Sequence, residues 1–109
     1  MKVEHSFEDA IGLVGSCEIS SIKYMAKTAG VPIEKIQVEC SAEYDMDRYL
    51  GKSTQPNTFS FIDVETTITS SEKDKKKLEE AVEKGIKQCP MLSTLTLAGI
   101  KINKKTNYI

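Results

Sequence analysis

The chain has 109 residues, 39% apolar and 28% charged, and its 15 basic and 16 acidic side chains leave a formal net charge of -1. A chain of this length buries roughly two thirds of its unfolded surface around one core, so a single domain over residues 1–109 is expected, and near-neutral charge offers no long-range attraction to nucleic acid or anionic lipid. No apolar run approaches the roughly 18 residues that span a bilayer, and Met1-Lys2-Val3-Glu4-His5 does not read as a targeting segment, which excludes a membrane protein and predicts a cytoplasmic one.

Ser6-Phe7-Glu8-Asp9 sets a capping hydroxyl three residues ahead of a carboxylate, so a helix begins there. Phe7, Ala10, Ile11, Val14, Cys17, Ile22, Met25 and Ala29 recur at helical intervals until Gly30 and Pro32 supply the stop, which predicts a helix over about Ser6 to Ala29. Gly12, Gly15 and Ser16 lower its propensity, by up to about 1 kcal/mol for each Gly, and this predicts close approach of another backbone. From Lys35 the period changes to two: Ile36, Val38, Cys40, Ala42 and Tyr44 alternate with polar residues and predict a strand. Arg48 to Asn57, with Gly51 and Pro56, reads as a hairpin connection, and Thr58 to Thr69 as a second strand. Ile62, Val64, Thr66 and Ile68 share one face while Phe59 and Phe61 fall on the other, requiring either a bulge near Phe61 or a covered second face. Ser71-Glu72-Lys73-Asp74 repeats the capping pattern and predicts a helix over Glu72 to Gln88, with Leu78, Ala81, Val82, Gly85, Ile86 and Cys89 on its apolar side and Pro90 ending it. Thr94 to Asn103 is read as a last strand and Lys104-Lys105-Thr106-Asn107 as a polar turn. The expected fold is therefore α+β, two helices on an antiparallel sheet in the order helix, strand, strand, helix, strand.

Three Cys without a CxxC, and a single His, predict reduced thiols and no zinc site; no cofactor motif is present. Cys17 lies among small residues and reads either as a small buried hydrophobe or as a reactive thiol. Reactivity requires a cation, hydrogen-bond donors or a helix N-terminus near the sulfur, and the local sequence offers none: Glu18 is acidic and Lys23 lies nearly two turns away. Cys89, at the end of the predicted second helix, sits where the helix dipole disfavours a thiolate, which suits a resolving thiol better than an attacking one; the alternative is a Cys-Pro that only ends the helix. Cys40 reads as core packing. Gly12-Leu13-Val14-Gly15 formally matches the GxxG loop of KH-like nucleic-acid binders, but it lies inside a helical pattern with no Lys or Arg from Val3 to Ser21. Lys73, Lys75, Lys76 and Lys77 read as a solvated helix face.

Taken together, Glu8-Asp9-Ala10-Ile11-Gly12-Leu13-Val14-Gly15-Ser16-Cys17, then Ala29-Gly30-Val31-Pro32, and Cys89-Pro90-Met91-Leu92-Ser93-Thr94-Leu95 after a charged amphipathic helix, resemble the OsmC/Ohr family of thiol-dependent peroxide reductases over roughly residues 6 to 102. The resemblance implies an OsmC-like core and a cysteine-based hydroperoxide reductase. In that reading Cys17 is the peroxidatic thiol, Cys89 resolves it, and Glu8 falls near the family glutamate that orders an active-site arginine. It further implies a hydroperoxide substrate of organic or inorganic kind, a dithiol reductant, and a homodimer with the site at its interface. About three strands that usually precede the helix, and supply the arginine, are not seen ahead of it; the single arginine is Arg48. The other readings are a non-catalytic OsmC-like interaction or scaffold protein, in which Cys17 and Cys89 only pack, and a KH-like nucleic-acid binder.

Overall fold

The computed structural model describes residues 7–56 and 58–109, with side chains from Ile11 onward. The Ser6 cap and the Glu8 side chain lie outside the described residues. Helix α1 spans Phe7–Ala29 and buries Val14, Glu18, Ile22 and Ala26, four residues apart and hence on one face. That stripe differs from the expected one, because Glu18 occupies a place in it and Ala29 is exposed. Gly30 ends the helix at φ +71°, where a side chain would be strained. The Val31 N–H then donates to Ala26 O at 2.8 Å and the Gly30 N–H to Lys27 O at 3.2 Å, the paired bonds of a Schellman cap.

Strand β1, Lys35–Glu43, pairs antiparallel with β2, Phe61–Thr69, through an unbroken register from Lys35 opposite Thr69 to Glu43 opposite Phe61. No bulge resets β2. Ile62, Val64, Thr66 and Ile68 are buried under the helices, Phe61 is half-buried on the other face, and Phe59, ahead of the strand, packs against the core. The hairpin connection contains a single helical turn, α2, Met46–Tyr49, started by Asp45, whose carboxylate accepts from the Arg48 N–H at 3.1 Å.

The second long helix, α3, is Lys75–Lys87 and starts later than the capping pattern predicts. Asp74 is its cap, accepting from the Lys77 N–H at 3.2 Å, because Ser70 and Ser71 are engaged elsewhere. Ser70 donates to the Pro32 carbonyl and Ser71 to the Glu34 carboxylate; that bond holds Glu34 below the usual carboxylate range and ties the start of β1 to the end of β2.

The largest departure from expectation follows Cys89. Pro90 ends α3 but opens a further helix, α4, Pro90–Leu97, since a proline is well suited to a first helical turn whose N–H has no partner. The predicted strand over Thr94 to Asn103 is thus displaced. Gly99, at φ +93°, turns the chain, and β3 runs Lys101–Tyr108 through the segment read as a polar turn. Its polar residues follow the strand period: Asn103 donates to Asp63 at 2.8 Å and Asn107 to Glu65 at 3.0 Å on the outer face. β3 is parallel to β2, because α3 and α4 carry the chain back along the sheet before it re-enters. The α+β architecture stands, but the sheet is mixed, in the order β1-β2-β3, rather than antiparallel.

The helices cover one face of this sheet around a common core of Val14, Ile22, Ile62, Val64, Ile68, Val82 and Leu92, each contributing about 1.5–3 kcal/mol on burial. The tightest backbone approach is at Gly85 of α3: a Cβ there would lie 2.6 Å from Ile22 Cα of α1. Of the small residues expected to admit a neighbour in α1, Gly12 has nothing within 4 Å, while Gly15 faces the Val38 and Cys40 side chains. No helix among the described residues is long and apolar enough to cross a membrane.

Candidate active site

Cys17 and Cys89, 72 positions apart in sequence, are brought together. Cys17 is half-buried on α1, and Cys89, 0% exposed, caps the N-terminus of α4. The two thiols interact, the Cys17 side chain being one of the groups that act on the Cys89 thiol. Burial pushes the Cys89 thiol above the ordinary cysteine range, and the adjacent Cys17 adds to that rise. The Leu92 and Met91 N–H groups at the start of α4 face the thiol and oppose it. This corrects the reading of Cys89 as a helix C-terminal residue. It follows α3 but belongs to the positive end of the next helix, whose dipole favours a thiolate.

Cys40, on β1, reaches the same locality. Its Sγ lies 3.3 Å from where a Gly15 Cβ would stand, so Gly15 makes the space in α1 that the sulfur occupies. Burial raises the Cys40 thiol first, then the Glu18 carboxyl, with a smaller contribution from Cys89. Glu18 was not among the residues picked out by sequence, although it is the least ordinary of the group. It is 1% exposed. Its Oε1 accepts from the Thr66 hydroxyl at 2.5 Å, and its Oε2 has no hydrogen-bond partner among the described residues. Burial raises its pKa above the usual carboxylate range, while the Thr66 bond and the charge of Lys104 pull the other way. The signal available beforehand was positional: a charged residue four places after Val14 and four before Ile22, on a stripe otherwise apolar.

Lys104, on β3, is exposed and lines a groove of about 370 Å³ with Ile86, Lys87, Leu92, Thr96 and Leu97. Arg48 stands in α2, its guanidinium donating to Pro56 O at 3.2 Å. Among the described residues no group of three or more His, Cys, Asp or Glu is arranged to hold a metal ion. The groups gathered here are two interacting thiols, a third nearby, and a buried carboxyl.

Several known proteins are similar. An OsmC like protein from Mycoplasma pneumoniae is 19% identical, with a TM-score of 0.76 over 100% of this chain and 74% of that one. The organic hydroperoxide resistance protein OhrB of Bacillus subtilis is 15% identical, with a TM-score of 0.59 over 100% of this chain and 73% of its own. An organic hydroperoxide resistance protein OsmC from Legionella pneumophila is 11% identical, with a TM-score of 0.67 over 89% of this chain and 64% of its own. At these identities the likeness is one of fold. Among curated proteins no relative matches the sequence. The family model described as OsmC-like protein matches residues 12–105, a span that contains α1 from Gly12 through most of β3, and the chain belongs to the OsmC-like family.

Proposed function

We propose that the chain reduces organic or inorganic hydroperoxides through Cys17 and Cys89. The observation that carries this reading is the adjacency of the two thiols across α1 and the cap of α4. Membership of the OsmC-like family supports it, as does likeness to proteins named for organic hydroperoxide resistance. In the cycle, Cys17 as thiolate attacks the peroxide oxygen, the O–O bond breaks, an alcohol or water leaves, and Cys17 becomes a sulfenic acid. Cys89 then attacks the oxidised sulfur, forming a disulfide and releasing water, and an external dithiol returns both to thiols. Such a cycle belongs to a reducing compartment, the cytosol. One equivalent of hydroperoxide should yield a Cys17–Cys89 bridge in peptide maps by mass spectrometry, with Cys40 still a free thiol. Recovery of unmodified Cys17 and Cys89, or a bridge to Cys40, would leave the scaffold reading in its place.

The assembly in this reading is a homodimer. Among the described residues the sheet ends at β1 and β3, so both outer strands offer an edge for pairing. Leu13 on α1 and Leu97 at the end of α4 are 57% and 89% exposed, and exposed apolar side chains favour association. Light scattering at micromolar concentration should give twice the 12.1 kDa chain mass; a stable monomer would remove the claim.

A further inference from the structure

The connection between β1 and β2 carries an apolar surface that the described residues leave open. Met46, Tyr49 and Leu50, on and just after α2, are each more than half exposed, and large apolar side chains gathered in this way mark a surface used for association. The segment that presents them is braced from inside. Asp45 caps α2, the Arg48 guanidinium donates back to Pro56 O at 3.2 Å, and the Tyr44 and Tyr49 rings stand 5.6 Å apart. A surface held in shape before it meets a partner loses little freedom on binding. The chain is also elongated. Its longest extent is 54 Å and its radius of gyration 16.1 Å, against about 13 Å for a compact chain of this length, so parts of it project from the core.

A seat of complementary character lies at the same end of the sheet. The connection leaves β1 at Glu43 and enters β2 at Phe61, which pair with each other, and Phe61 pairs in turn with Lys101, where β3 begins shortly after α4 ends at Leu97. The groove over α4 is apolar at Ile86, Leu92 and Leu97, and its lining carries Lys87 and Lys104 with no carboxylate. We infer that the β1–β2 connection of one copy seats in the α4 groove of a second copy, and reciprocally, with Met46, Tyr49 and Leu50 against Leu92 and Leu97 and with Asp47 toward Lys87 and Lys104. Because connection and groove share one end of the sheet, a two-fold axis there lets both seatings form together, as a closed dimer requires. Charge selects this pairing over its rivals. Two connections face to face would oppose Asp45 and Asp47 to their own copies, and two grooves would oppose lysines, whereas the exchanged arrangement sets acid against base. The inference rests on the homodimer proposed above and names the surfaces that form it. Since α4 is the helix that Cys89 caps, the partner's segment also holds in place the helix that presents its N–H groups to that thiol.

Sedimentation of the full chain over a range of concentrations measures the dissociation constant of the dimer. Leu50→Asp and Leu97→Asp change exposed side chains and should each raise it about 30-fold or more, the scale of an interface hot spot, with the circular dichroism of the wild type. Asp47→Lys and Lys87→Glu should each raise it several-fold, more so at low salt, and the double variant should recover most of the loss. A carbodiimide joins a carboxylate and an amine in contact as an amide, with loss of water. Applied to a dimer of mixed heavy-nitrogen and ordinary chains, it should yield an Asp47 peptide joined to a Lys87 or Lys104 peptide of the other isotope. Wild-type dissociation constants in Leu50→Asp and Leu97→Asp would overturn the exchange and leave the homodimer to form on another surface. Joined peptides of one isotope only would show the segment folding back on its own groove, which overturns it too. Should either Asp variant fail to fold, the Asp47 and Lys87 pair decides. A wild-type monomer removes the homodimer and the exchange together.

Discussion

Cys17→Ser should bring hydroperoxide consumption in the presence of a dithiol reductant down to the rate measured without protein. A serine hydroxyl is far less acidic than a thiol and a much weaker nucleophile toward peroxide oxygen. Cys89→Ser should behave differently. It leaves the attacking sulfur in place, so one turnover proceeds and the protein stalls with oxidised Cys17, because the hydroxyl now beside that sulfur cannot form a disulfide. A burst of about one peroxide per chain in Cys89→Ser, against none in Cys17→Ser, distinguishes the two roles assigned to two neighbouring thiols. If wild type consumes a bulky organic hydroperoxide no faster than Cys17→Ser, the cysteines only pack, and the chain is an OsmC-like scaffold.

Gly85→Ala should destabilise the protein by about 1–3 kcal/mol, the cost of overpacking a filled core. The new Cβ would stand 2.6 Å from Ile22 Cα and 3.0 Å from Ile22 N. Both are backbone atoms of α1, so the clash is relieved only by moving one helix away from the other. The gain in helix propensity on losing a glycine, about 1 kcal/mol, is offset by that clash and by loss of the bond from Ser21 Oγ to Gly85 O, now 2.6 Å, which is worth about 0.5–1.5 kcal/mol. Gly12→Ala supplies the opposite case. Among the described residues nothing lies within 4 Å of its added Cβ, and with helical backbone already in place it should stabilise by about 0.5–1 kcal/mol. Urea denaturation of the two variants measures both signs. Stabilisation by Gly85→Ala would mean that the helices do not meet as closely as described.

The propensity penalty that pointed to a close approach in α1 was real, but it was satisfied elsewhere. Gly15 yields to the Cys40 sulfur, while the backbone contact is at Gly85, which in sequence was only one of several residues on an amphipathic face. Period and stop signals served well where local physics decides. α1 ends at Gly30 and β1 starts at Lys35, as the patterns indicate. They failed after Cys89, because Pro90 breaks one helix and starts another with the same chemistry. They failed again in β3, where Lys104 to Asn107 are polar enough for a turn but pair with β2, while Asn103 and Asn107 bond through their side chains to Asp63 and Glu65.

By itself the sequence determined the element types with strong periodicity, the boundaries set by Gly30, and the presence of thiols within two helical settings, since these depend on residues close along the chain. Only the tertiary structure decided which thiols meet, that β3 runs parallel to β2, and that Cys89 lies at a helix N-terminus. It alone placed the Glu18 carboxyl inside, against Thr66. Those outcomes depend on contacts between residues tens of positions apart, whose closing is set by packing of α1, α3 and α4 on one sheet face. No local propensity carries that information.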